Sequence, residues 1–145
     1  MDTLNEAEAR AIAALAGQSD HPLLMMNLNR YRPGAFPDSD SYRQWREVNA
    51  AMIGDAGGRI LWTLPVHGHI LSNGPAEPLD EILAYWYPSH AAFLSMRGTA
   101  NAERNFALRA ELIDFAIVHR CCGENPPRVP DRDSEPEPGQ GFPTF

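Results

Sequence analysis

Between Leu23 and Cys122 the apolar positions switch between the two-residue period of a strand and the wider period of a helix. The order is strand, helix, strand, strand, helix, strand. The run Leu23 to Tyr31 holds no helix breaker and stops at Pro33-Gly34; its apolar start on both faces predicts a central buried strand. Asp38-Ser39-Asp40-Ser41 is a set of N-cap candidates. Tyr42, Trp45, Asn49, Met52, Ile53 and Ala56 follow at helical spacing, and Gly57-Gly58 ends that helix. Arg59 to Leu71 reads as a long strand, broken or bulged near Pro65 and Gly68. Turn chemistry at Ser72-Asn73-Gly74-Pro75 and Glu77-Pro78 leads into a third, aromatic-rich strand, Glu81 to Tyr87.

Pro88-Ser89 opens the second helical region. Ala92, Phe93 and Met96 are expected to face inward, Gly98 interrupts, and the helix resumes near Asn101 with Phe106, Ala110 and Ile113 on one face. Asp114 to Cys121 is the fourth strand, apolar at Phe115, Ile117 and Val118. Residues 1–20 form an N-terminal helical extension. Thr3-Leu4-Asn5-Glu6 matches a capping box there, Leu4, Ala11, Ile12 and Leu15 form the apolar stripe, and Gly17 ends the helix. Residues 123–145, with six prolines, three glycines and five acids, cannot build a core of their own. This tail is expected to dock on the body or on a partner subunit through Phe142 and Phe145. One α+β domain, residues 21–122, remains between the two extensions.

Composition narrows the chemistry. All 12 basic residues are arginine, which excludes a Schiff-base or P-loop lysine. The net charge of −7 without a basic stripe argues against nucleic acid and anionic membrane as partners. The N-terminus has neither a cationic leader nor an apolar run long enough for a signal peptide or a span. The adjacent pair Cys121-Cys122 suits neither a disulfide within the pair nor a metal knuckle, so a reducing cytoplasm is expected.

Four strings carry a family resemblance: Met26-Asn27-Leu28-Asn29-Arg30-Tyr31; the Tyr42 helix closed by Ala56-Gly57-Gly58-Arg59; the aromatic strand with Tyr87-Pro88-Ser89 and Ala91-Ala92-Phe93; and Arg109 before the last strand. Over residues 22–121 the chain resembles a family of uncharacterised function within the dimeric α/β-barrel superfamily. The resemblance implies a ferredoxin-like βαββαβ fold. Its four-stranded antiparallel sheet would have order 4-1-3-2 and helices on one face, and two sheets would pack as a barrel in a homodimer. Trp62 and Trp86 are expected in the shared core. The superfamily includes cofactor-free monooxygenases, lactone isomerases, cyclases, haem-handling enzymes and ligand-binding domains, so fold does not select a reaction.

Asn27, Asn29 and Tyr31 share one strand face and are candidates to line a cleft, with Trp86 beside them on strand three. His90, at the positive end of a helix, and His67 are candidate general bases, and Arg109 a candidate for stabilising developing negative charge. The alternative role of Arg109 is an ion pair with Glu103, Glu111 or Asp114. His67 and His69 have the spacing of two metal ligands but lack a third. His119 would lie on the opposite sheet edge, roughly 14 Å away at about 4.8 Å per strand. No metal and no cofactor is therefore expected. These residues predict a small-molecule-binding protein, with a cofactor-independent oxygenase, isomerase or cyclase acting on a small organic substrate as the leading form. The alternative is a non-catalytic ligand-binding or assembly module in which the same polar residues are structural.

Overall fold

The computed structural model describes residues 2–128. The elements run α1 (Glu6–Gln18), β1 (Leu23–Tyr31), α2 (Asp40–Asp55), β2 (Arg59–Pro65), β3 (Glu81–Tyr87), α3 (His90–Ser95), a 3₁₀ turn (Met96–Gly98), α4 (Ala102–Leu112) and β4 (Ile113–Cys122). The four strands form one antiparallel sheet in the order β2-β3-β1-β4, which is 4-1-3-2 read from the other edge. Leu23, the first residue of β1, lies between Tyr87 of β3 and Cys122 of β4.

Side-chain alternation splits the sheet into two unlike faces. Leu23, Met25 and Tyr31 of β1 and Leu83, Tyr85 and Tyr87 of β3 enter one core with Tyr42, Trp45, Met52 and Ile53 of α2 and Leu112 of α4. The intervening residues point the other way, where no helix among the described residues covers them. Met26, Leu28 and Ile82 are half-buried there, and Leu64 and Ile117 are 38% and 41% exposed.

Local chemistry accounts for the helix ends. Ser39 caps α2 by accepting from the Tyr42 amide at 3.1 Å, and Ser89 caps α3 by accepting from Ala92 at 2.9 Å. Gly57 has φ of +86°, the left-handed conformation that stops α2. At Gly58 a Cβ would lie 2.7 Å from the Trp86 carbonyl oxygen, so the close approach of this turn to β3 requires glycine.

Four expectations need correction. β2 stops at Pro65 rather than continuing to Leu71; proline has no N–H for a further ladder bond, and His67, His69, Ile70 and Leu71 lie exposed on the connection to β3. The cap of α1 is Asn5, which accepts from the Glu8 amide, and not Thr3; Leu4 is exposed outside the helix and only Ile12 is buried. The helix itself runs one residue past Gly17. The inward face of α4 carries Ala102, Asn105 and Leu112, whereas Phe106 and Ala110 point outward.

The expected docking of Phe142 and Phe145 lies outside the described residues. The start of the tail is described, and it crosses the uncovered sheet face. Trp86 Nε1 donates to the Gly123 carbonyl and Trp62 Nε1 to the Pro127 carbonyl, both at 2.9 Å. No helix among the described residues is long and apolar enough to cross a membrane.

Candidate functional site

One end of the sheet gathers the C-terminal end of β1, the first residue of β3, the last residues of β2 and the first turns of α2. The residue that joins them is Glu81. Its side chain is buried, and both carboxylate oxygens accept from tyrosines: Tyr31 Oη at 2.6 Å and Tyr42 Oη at 2.7 Å. Arg46 Nη1 donates to Tyr42 Oη at 3.1 Å and lies 3.8 Å from Glu81 Oε2. Asn29 Nδ2 donates to Tyr31 Oη at 3.2 Å. The Asn29 Oδ1 is buried without a hydrogen-bond partner among the described residues. A buried carboxylate needs such company: two hydroxyl donors and one cation replace the water it has lost.

The tyrosines respond to the same surroundings. Burial pushes the Tyr42 hydroxyl up to about 12, and its hydrogen bond to Glu81 adds to the rise. Burial also raises Tyr31 well above the ordinary tyrosine value, with Glu81 acting in the same direction. Both stay protonated at neutral pH, so both remain donors to Glu81.

Above this network lies an open cleft of about 200 Å³ lined by Phe36, Pro37, Tyr42, Arg46, Thr63, Pro65 and Glu81. Its aromatic side is braced. Phe36 stacks on Tyr31 at 5.2 Å between centroids and meets Tyr42 edge-on at 5.2 Å. The Arg46 guanidinium sits 5.8 Å from the Tyr42 ring centroid.

Of the residues singled out from sequence, Asn29 and Tyr31 belong to this network, but they form the layer beneath the cleft and do not line it. Asn27 is buried on the same strand face, and its amide donates to the Met25 carbonyl within β1. Trp86 lies on the opposite sheet face, under the Arg59 guanidinium, and shares no cleft with Asn29. Alternation decides this: Trp86 is an odd number of residues from Glu81 on the same strand.

His90 is buried for structural reasons. Its Nδ1 donates to the His21 carbonyl at 2.9 Å. Its Nε2 faces Arg120 Nη1 at 3.3 Å; a guanidinium can only donate, so Nε2 accepts. Arg120 is also held by Glu8, which ties α1 to β4. Asp20 accepts from the amides of His90 and Ala91 at 2.6 and 3.1 Å. Burial opposes ionisation of Asp20, but the N–H groups of His90, Ala91 and His21 outweigh it and lower its pKa. No hydrogen-bonding position of the His90 ring is left for a substrate.

Arg109 pairs with Asp2 at 2.5 Å, does not line the cleft, and among the described residues makes no ion pair with Glu103, Glu111 or Asp114. His67 and His69 are not on a strand, and His119 is exposed on β4. Among the described residues no three of His, Cys, Asp and Glu are grouped to hold a metal. Sequence reasoning missed Glu81, Tyr42, Arg46 and Phe36. An acid opening an aromatic strand was the available signal for Glu81; nothing local marked Arg46 or Phe36.

No family model matches the chain, and a search of curated proteins finds no match. Among solved structures, the chain is similar to RPA0582, a protein of unknown function from Rhodopseudomonas palustris. Identity is 25%, the TM-score 0.65, and the match covers 89% of this chain and 97% of that one. A structure of the methylated form of RPA0582 matches with 21% identity and a TM-score of 0.59, covering 90% and 96%. The likeness extends over nearly the whole of both chains, so the overall architecture is shared.

Proposed function

We propose that this chain is a small-molecule-binding protein of the dimeric α/β-barrel type, with a ferredoxin-like unit as protomer. The cleft over Glu81 is its binding site. The observation that carries this reading is the buried carboxylate held by two tyrosine hydroxyls beneath an open cleft with an arginine at its rim. A buried ion costs stability wherever it is placed, and a purely structural role would be met more cheaply by an apolar residue. Binding is favoured over turnover because the expected bases, His90 and His67, are absent from the cleft lining, and both oxygens of Glu81 already accept hydrogen bonds.

The homodimer rests on the part of this sheet face that neither a helix nor the start of the tail covers among the described residues. Met26, Leu28, Leu64, Ile82 and Ile117 form an apolar surface on the side that no helix covers. A patch of this kind on a sheet is suited to another sheet face. Light scattering at micromolar concentration is expected to return twice the chain mass. Ile117→Glu, at a position the folded protomer leaves 41% exposed, is expected to give a folded monomer. A monomeric wild type would remove the dimer.

The site is tested by a fragment screen read by amide chemical shifts. Ligands are expected to move resonances of Phe36, Tyr42, Arg46 and Thr63 together. Hits that cluster elsewhere, or none at all, would overturn the assignment.

A further inference from the structure

The polar groups of the cleft are not equivalent toward a ligand. Glu81 is nearly saturated, since each oxygen already accepts a short hydrogen bond from a tyrosine and the side chain is 3% exposed. Tyr42 donates its only hydroxyl proton to Glu81. Arg46 is different: its side chain is 43% exposed, and only Nη1 donates within the described residues. Its Nε and Nη2 have no hydrogen-bond partner among the described residues. The guanidinium is also held in position, packed over the Tyr42 ring and fixed through Nη1 to the Tyr42 hydroxyl. A planar fork held in advance loses little freedom on binding a carboxylate.

The rest of the lining is apolar or weakly polar. Phe36, Pro37 and Pro65 present flat, rigid surfaces, Thr63 supplies a hydroxyl, and among the described residues Glu81, Tyr42 and Arg46 are the titratable groups that line the cleft. An open cleft of about 200 Å³ accommodates a single small ring with one substituent.

Resting on the reading of this cleft as the binding site, we infer that its ligand is a small organic acid, a carboxylate on a flat apolar ring. The carboxylate is received by the free edge of Arg46, and the ring lies against Phe36, Pro37 and Pro65. A cation would have to compete with Arg46 for a carboxylate whose two oxygens are already engaged. A neutral ring would leave the Arg46 donors unpaired at the moment the cleft is dried.

The test uses the full chain and three probes of one shape: benzoate, benzamide and benzylamine. Titrations are followed by amide chemical shifts of the cleft residues. Benzoate is expected to bind about tenfold or more tighter than benzamide, as fits a hydrogen bond to a charged group, and benzylamine least. Arg46→Gln is expected to erase the preference for benzoate over benzamide. Arg46→Lys should restore part of it, because the charge returns without the fork. Arg46→Gln withdraws a cation from Glu81 and is expected to lower the thermal transition, so the fold of each variant is confirmed by native amide shift dispersion, and Arg46→Lys, which keeps the charge, separates lost recognition from lost stability. Equal binding of benzoate and benzamide, tighter binding of benzylamine, or a benzoate preference that survives Arg46→Gln would each overturn the acid class. The cleft would then still stand as a site. Shifts outside the cleft, or none with any probe, would overturn the site and the acid class with it.

Discussion

Glu81 concentrates the polar cost of this core in one residue. Glu81→Gln would leave one of the two tyrosine hydroxyls facing an amide NH₂, which cannot accept a hydrogen bond. It would also leave Arg46 without its counter-charge. A loss of about 1–3 kcal/mol in chemical denaturation is expected, the cost of one buried polar group deprived of its partner. Asn29→Ala should cost less, about 1 kcal/mol. It removes a single bond to Tyr31, and its Oδ1 has no partner among the described residues to lose. A larger loss for Asn29→Ala than for Glu81→Gln would show that Asn29, and not the carboxylate, anchors the network.

At the scale of the element, α4 is oriented by a polar residue. Asn105 is 1% exposed and donates to Asn49 Oδ1 at 2.9 Å, while Asn49 Nδ2 donates to Tyr85 Oη at 2.7 Å. This chain of bonds joins α4, α2 and β3 through the core. Read as a hydrophobic stripe, the helix would turn Phe106 inward; the structure turns Asn105 inward and leaves Phe106 39% exposed. Asn105→Ala is therefore expected to destabilise by about 1–3 kcal/mol, because Asn49 Oδ1 loses its donor in a dry site. Phe106→Ala should cost less than Asn105→Ala in the same denaturation series. The reverse order would mean that α4 packs on the other face.

On the scale of the whole molecule, burial reaches all four tyrosines of the chain. Desolvation raises Tyr31, Tyr42, Tyr85 and Tyr87 above the ordinary value of 10.0. The folded state then holds protons that the unfolded chain releases above 10.0. The stabilisation is complete below that pH and is lost as pH rises through the folded-state values, of which Tyr42 at about 12 is one. Ultraviolet titration is expected to show no tyrosinate near pH 10 while the circular dichroism stays native. Above that, tyrosinate and unfolding should appear together. A tyrosine that ionises at 10 in the folded protein would show that one of these hydroxyls reaches water.

What the sequence determined by itself is the element order and the two central strands. β1 and β3 have the predicted bounds Leu23–Tyr31 and Glu81–Tyr87, because long apolar runs bounded by turn residues are local signals. The α2 stripe and its Ser39 cap were legible for the same reason. Tertiary structure alone decided the candidate site. Glu81 acquires its tyrosines from positions 39 and 50 residues away, Arg46 reaches the same cleft from one turn along the Tyr42 helix, and Phe36 from the segment before that helix. It also kept three of the expected site residues out of the lining of this cleft. His90, Arg109 and Trp86 each found partners far along the chain, His21 and Arg120, Asp2, and Gly123. Hydrophobic period is a property of neighbours in sequence. The pairing of a buried polar group depends on which distant residue the fold brings within three ångströms, and no local pattern encodes that.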